Sequence, residues 1–274
     1  MENNIMDNRP IGVFDSGLGG LTTVKELSKY LPNEDIIYLG DTGRVPYGSR
    51  SEDTIIKYAK QDAAFLAKKD IKAMIIACNT VCGVAYRLLR ELYEFPVFEV
   101  VSVPAQAAVD CTRNGKIGVI GTTATIRSRA YETALKECSS EIEVFSVACP
   151  LFVPMVEYGR TDENDIAALT IAEDYLNGLC ETGIDTLIMG CTHYPLLRGV
   201  ISKVMGSSVM LLDSGALTAK YVSDVLRTKN MLSDNENEGI IRYFITDSVS
   251  DFSVRASRFL DCAVYGMVEQ ITLD

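Results

Sequence analysis

Ile71-Lys-Ala-Met-Ile-Ile-Ala-Cys78-Asn79-Thr80 is an apolar run that ends in a cysteine and two hydrogen-bonding residues. The pattern returns at Ile184-Asp-Thr-Leu-Ile-Met-Gly-Cys191-Thr192-His193. Short apolar runs of this kind read as strands buried on both faces of a parallel sheet. Each has an upstream echo. Ile11-Gly12-Val13 opens onto Asp15-Ser16-Gly17, and Ile117-Gly118-Val119 opens onto Gly121-Thr122-Thr123. The chain therefore reads as two related halves, each presenting one thiol at a strand end.

Outward from these segments, apolar runs alternate with longer amphipathic stretches. Strands are expected at 11–14, 36–39, 74–77, 97–101, 117–120, 144–147, 187–189 and 209–212, with a ninth at 240–245. Helical spacing covers 21–30, 54–69, 81–93, 129–138, 163–181 and 216–229. In the third of these, Val81, Val84, Ala85, Leu88, Leu89 and Leu92 form one apolar stripe. Such alternation predicts an α/β fold with mainly parallel sheets flanked by helices. The division is expected at Pro104. Residues 1–103 and 213–274 then form a discontinuous first α/β domain, and residues 104–212 form the second.

The chain has 274 residues, 47% hydrophobic and 23% charged, the profile of a globular protein. Its formal charge of -11, without a basic cluster, argues against nucleic acid and anionic membrane surfaces as partners. No apolar run approaches the ~20 residues of a membrane helix, and residues 1–10 lack the apolar core of a signal peptide. A cytoplasmic location is expected. The eight scattered cysteines then read as reduced thiols.

Ligands of open parallel sheets bind beyond the carboxyl ends of the strands, where Cys78 and Cys191 are expected. A single free cysteine is most often a packed one. These two differ because each is followed by polar groups that have no place in a core strand. The other six lack that context and are read as packing. Two thiols across a cleft can serve the two faces of one carbon, one removing a proton and the other delivering one. A thiol needs help to ionise at neutral pH. Helices expected near Val81 and Pro195 would bring positive helix ends close to both sulfurs. Asp15-Ser-Gly-Leu-Gly-Gly-Leu-Thr22 is a Gly-rich turn from strand to helix that can offer backbone N–H groups to an anion. It is neither a dinucleotide fingerprint nor a phosphate loop. With Thr122 and Thr123 in the equivalent place of the second half, it suits an amino acid carboxylate and ammonium. His193 is the only histidine, two residues after Cys191, and is placed to tune that thiol.

Asp15-Ser-Gly-Leu-Gly-Gly-Leu, Arg44-Val-Pro-Tyr-Gly48, Ala77-Cys-Asn-Thr80, Cys149-Pro150 with Glu157, and Gly190-Cys-Thr-His-Tyr-Pro-Leu-Leu197 together resemble the bacterial glutamate racemases. The similarity runs in order through essentially the whole chain. It implies two pseudo-symmetric α/β domains with the active site between them. The implied activity is a cofactor-independent interconversion of L- and D-glutamate that supplies peptidoglycan synthesis, with no metal. By this resemblance Cys78 and Cys191 are the acid/base thiols, Cys78 acting on D-glutamate and Cys191 on L-glutamate. Asp15 would assist Cys78, and Glu157 and His193 would assist Cys191. Substrate contacts are expected from Asp15, Ser16, Pro46, Tyr47, Gly48, Cys78, Asn79, Thr80, Thr122, Thr123, Cys191, Thr192 and His193. A homodimer is expected on the same ground. Gly43 and Cys82 depart from the residues usual in that family, outside these roles.

Overall fold

The computed structural model describes residues 6–264 and 268–273. The chain begins β1 (Ile11–Asp15), α1 (Leu21–Tyr30), β2 (Ile36–Gly40), α2 (Glu52–Ala67), β3 (Ala73–Ile76), α3 (Asn79–Leu92), β4 (Val97–Glu99). It continues α4 (Ser102–Cys111), β5 (Lys116–Gly121), α5 (Thr123–Arg127), α6 (Ala130–Cys138), β6 (Glu143–Ala148), α7 (Phe152–Glu157). Then come α8 (Ile166–Thr182), β7 (Thr186–Gly190), α9 (Arg198–Met205), β8 (Met210–Asp213) and α10 (Ser214–Thr228). The last described elements are β9 (Ile241–Ile245), α11 (Val249–Leu260) and β10 (Val268–Gln270).

The strands form two sheets, ordered β10-β9-β2-β1-β3-β4 and β6-β5-β7-β8. All the pairings are parallel. The order β2-β1-β3-β4 reappears strand for strand as β6-β5-β7-β8, so the echo in sequence is an echo in topology. In each half the chain leaves the central strand to one side and then returns to the other. This reversal opens a crevice beyond the carboxyl ends of the central strand and its returning neighbour. In the first half those are β1 and β3, ending at Asp15 and just before Cys78. In the second they are β5 and β7, ending at Gly121 and just before Cys191.

Alternation along the strands sorts the core. Ile11, Val13, Tyr38, Ala73 and Ile75 pack on one side with Leu21, Val24 and Leu27 of α1. Phe14, Ile37, Leu39, Met74 and Ile76 face the other side, against Ile55, Ala59, Ala63 and Leu66 of α2 and Val81, Ala85 and Leu89 of α3. The first cluster continues without a break into Leu187, Met189, Tyr194 and Val222, so the halves share one core. Each fully buried aliphatic side chain contributes about 1.5–3 kcal/mol.

Nine expected strands are present with edges shifted by a few residues, and β10 is an unexpected tenth beside β9. Its polar Val-Glu-Gln carries no strand signal. Helix α2 starts earlier than the apolar spacing implies because Ser51 caps it, accepting from the Thr54 N–H. Helix α8 starts later, where the Asp165 carboxylate accepts from the Ala167 and Ala168 N–H groups. The helix expected near Pro195 is first a 3-10 turn, Tyr194–Leu197, with α9 following. Helices α4, α5, α7 and α11 lie outside the expected helical stretches. Pro104 sits in the first turn of α4, where proline is tolerated. The tail also carries a helical stripe, with Phe252, Ala256, Phe259 and Leu260 buried. Of the six cysteines read as packing, Cys82 and Cys149 are buried, but Cys111, Cys138, Cys180 and Cys262 are exposed. Cys111 and Cys138 close α4 and α6.

At the amino end of the first sheet, Lys72 is fully buried. Its ammonium lies 2.5 Å from Glu34 Oε2 and donates to the Asp7 carbonyl at 2.6 Å. The other Glu34 oxygen accepts from the Ser233 N–H at 2.8 Å. Removing one charge strands the other in the core. Lys72→Met should therefore cost about 3–5 kcal/mol in denaturant unfolding. Adding Glu34→Gln, which neutralises the orphan and keeps the acceptor for Ser233, should recover much of that loss. Equal stability of the single and double variants would refute the account.

Candidate active site

The two crevices face each other and enclose a cavity of about 400 Å³. Ser16 follows β1, and Cys78, Asn79 and Thr80 run from the end of β3 into the first turn of α3. Thr122 and Thr123 follow β5, and Cys191, Thr192 and His193 follow β7. All of these line the cavity, together with Pro46, Tyr47, Gly48 and Glu157. Asp15 alone among the expected site residues does not line it. It lies beneath the wall, 1% exposed, with its carboxylate accepting from the Gly17 N–H at 3.0 Å. Gly17, Val45, Ser49, Pro150, Val153, Pro154 and Tyr158 also line the cavity and were not expected. Their signal was adjacency alone, since each sits within or beside a motif already singled out. Pro150, Val153 and Pro154 make an apolar wall leading to Tyr158, which is 83% exposed.

The halves touch through short contacts around this cavity. The Thr22 hydroxyl on α1 lies 2.9 Å from the Gly19 carbonyl and 3.0 Å from the Thr192 carbonyl of the other half, which share its one hydrogen. At Gly19 a Cβ would come within 2.5 Å of His193 Nδ1 and nearer still to Thr192 Oγ1, so glycine is required by the close approach. Across the floor, the Thr80 hydroxyl lies 2.9 Å from that of Thr122, which lies 2.9 Å from that of Thr125. The Tyr131 hydroxyl lies 2.6 Å from Asn79 Oδ1 and 2.8 Å from the Val100 carbonyl, which share its one hydrogen.

The two thiols occupy different electrostatic surroundings. Cys78 Sγ donates to Ser16 Oγ at 3.5 Å. Burial, and secondarily the negative charge of Asp15, pushes this thiol up to about 12; hydrogen bonds from Ser16 and the Val81 N–H act in the other direction. Burial also raises the Asp15 carboxyl. Burial likewise pushes Cys191 up, against a hydrogen bond from the His193 N–H. Beside Cys191, His193 Nε2 and Glu157 Oε1 are 3.3 Å apart. Burial would raise the Glu157 carboxyl, but the hydrogen bond and charge of His193 outweigh it and hold the carboxyl low. Both sulfurs thus rest as thiols, and a ligand that brings positive charge favours ionising one of them.

The site is thus a single cavity between two α/β halves of one plan, with a strand-end thiol from each. The sequence model of the family described as Asp/Glu/Hydantoin racemase matches residues 21–222, and the chain belongs to that family. Its relatives are specific within it. The chain is 47% identical to the glutamate racemase of Geobacter metallireducens, over 97% of each. A glutamate racemase isoform from Bacillus anthracis matches the structure with a TM-score of 0.93 at 40% identity, covering 97% of this chain and 98% of that one. The glutamate racemase of Francisella tularensis subsp. tularensis, solved in complex with D-glutamate, matches at 0.92 and 39% identity, covering 98% and 99%.

Two outcomes follow from the geometry. Gly19→Ala forces Thr192 and His193 away from their places, and should lower racemase turnover about 100-fold or more while leaving the circular dichroism of the fold unchanged. Near-normal turnover would show that the close approach is not needed. In the empty enzyme, the raised Cys78 thiol should react with iodoacetamide progressively faster as pH climbs towards about 12. An exposed cysteine reaches half its maximal rate near pH ~8.5. Peptide mass spectrometry gives both rates, and a plateau for Cys78 near neutral pH would contradict the assignment.

Proposed function

We propose that the chain is a glutamate racemase that interconverts L- and D-glutamate without a cofactor, using Cys78 and Cys191 as the two acid/base groups. One observation carries this reading. The two equivalent thiols of a duplicated fold line a single cavity, each at the strand end where ligands of such sheets bind.

In this mechanism one cysteine is a thiolate and the other a thiol. With D-glutamate bound, the Cys78 thiolate removes the α-proton. The electron pair left on Cα spreads into the substrate carboxylate, and the Cys191 thiol delivers its proton to the opposite face. The product is L-glutamate, Cys78 is now the thiol and Cys191 the thiolate, and the reverse reaction runs the same steps backwards. Asp15 assists Cys78, and the Glu157–His193 pair assists Cys191. The substrate ammonium supplies positive charge that favours the thiolate. The N-terminus of α3 and the hydroxyls of Ser16, Thr80, Thr122, Thr123 and Thr192 suit the carboxylates. Asn79, Pro46, Tyr47, Gly48 and His193 complete the proposed contacts. The glutamate racemase names of the relatives support the substrate. We place the enzyme in the cytoplasm, acting as a homodimer that supplies D-glutamate for peptidoglycan.

Solvent labelling tests the two-base scheme. In D₂O, the product enantiomer should carry deuterium at Cα before the recovered substrate does, because the removed proton and the delivered one sit on different sulfurs. Cys78→Ala and Cys191→Ala should each reduce racemisation by at least ~10³-fold. Equal early labelling of both enantiomers, or substantial turnover by either variant, would defeat the mechanism. Faster turnover of aspartate than of glutamate would defeat the substrate.

A further inference from the structure

The wall formed by Pro46, Tyr47, Gly48 and Ser49 rests on a buried cluster outside the cavity. Tyr47 is 1% exposed, and its hydroxyl points away from the cavity into the space between Asp41 and Asp62, both fully buried. It contacts Asp41 Oδ2 and lies 3.0 Å from Asp62 Oδ2. Arg44 Nε donates to Asp41 Oδ2 at 2.6 Å, its Nη2 donates to Asp62 Oδ1 at 3.2 Å, and its Nη1 donates to Gln61 at 2.5 Å. The Thr246 hydroxyl donates to Asp41 Oδ1 at 2.8 Å. Tyr58 covers the guanidinium, 4.1 Å from its ring centre to Arg44 Cζ.

Counting protons in this cluster leads to one arrangement. A phenol has one hydrogen to give and here has two carboxyl oxygens beside it. Asp41 already receives Arg44 and Thr246, the pattern of an ionised carboxylate, and the phenol completes its set. The Tyr47 oxygen then faces Asp62 Oδ2 with lone pairs only, which holds at 3.0 Å when Asp62 supplies the hydrogen. The charge count agrees, since one guanidinium against two buried carboxylates leaves an excess negative charge unless one is protonated. Burial first, and then the charge of Asp41, raises the Asp62 carboxyl well above its ordinary range.

We propose that Asp62 is a positioning residue, held as a neutral acid that donates to Tyr47, which donates to Asp41, so that this relay fixes the Pro46–Gly48 wall of the substrate cavity. The wall in turn presses on the second half, because a Cβ at Gly48 would lie 2.8 Å from Thr122 Cβ. The relay therefore sets both the width of the cavity and the place of the Thr122 hydroxyl. It acts on substrate binding more than on proton transfer, because Asp62 touches neither thiol.

This inference rests on glutamate being the substrate, so wild-type racemisation of glutamate is measured alongside the variants. KM and kcat are read by circular dichroism, with thermal unfolding to verify folding. Asp62→Asn carries an amide that can donate to Tyr47 and accept from Arg44. It should keep KM within about twofold of wild type. Asp62→Leu has the volume but no donor, and should raise KM about tenfold or more with a smaller fall in kcat. Asp41→Asn should raise KM at least as much as Asp62→Leu, since an amide cannot accept from all three donors. If Asp62→Leu does not fold, Tyr47→Phe takes its place, with the same rise in KM expected. The relay is overturned if Asp62→Asn is as impaired as the leucine variant, if Asp41→Asn is the milder of the two asparagine changes, or if the leucine or phenylalanine variant keeps its KM. A fall in kcat at constant KM also overturns it. An inactive wild type would overturn the substrate instead.

Discussion

The Thr22 hydroxyl in the first turn of α1 lies between the Gly19 and Thr192 carbonyls and sets the turn after β1 against the loop after β7. The proposed two-thiol reaction depends on that approach. Each sheet by itself makes a crevice with one thiol, and one thiol can serve only one face of a carbon. The glycine at 19 lets the approach happen, since a side chain there would occupy the place of Thr192, while the one at 20 lets the turn pack on Asp15 of its own half. The shared core between the sheets carries the same constraint inward. Residues of α1 and α10 pack in one cluster with strands from both sheets, so the two crevices are held face to face by apolar burial as well as by polar contact.

Much of this was legible in the chain because buried parallel strands write themselves as uninterrupted apolar runs. A polar triplet after such a run marks the rim, and the residues read that way line the cavity. Asp15 shows where the rule ends. It closes its strand as the others do, but the chain turns over it at Gly17 to Gly20 and leaves it beneath the wall. The partners of Asp62 were not legible. Helical spacing sets Asp62 on one face with Ile55, Ala59 and Leu66, but Arg44, Tyr47 and Asp41, which let a carboxyl sit there, come together only in the fold. The exposed cysteines failed for the opposite reason. The tendency of thiols to be buried is a property of a population and says nothing about the end of a particular helix.

Duplication supplied two equivalent frames, and the charges inside them have diverged. Near Cys78 two groups that become anions, the thiol and the Asp15 carboxyl, are both buried and both pushed towards their neutral forms. They cannot readily be ionised together, so a proton leaving one is best kept by the other. Near Cys191 the hydrogen bond and charge of His193 hold the carboxyl of Glu157 low, and the His193 backbone N–H bonds the thiol. Groups whose surroundings drive their ionisation apart are the mark of assigned acid and base roles. The substrate gives a reason for the difference. In the proposed reaction one orientation of the glutamate side chain presents its two faces to different walls, and a pair of identical thiol environments would suit one face and mismatch the other.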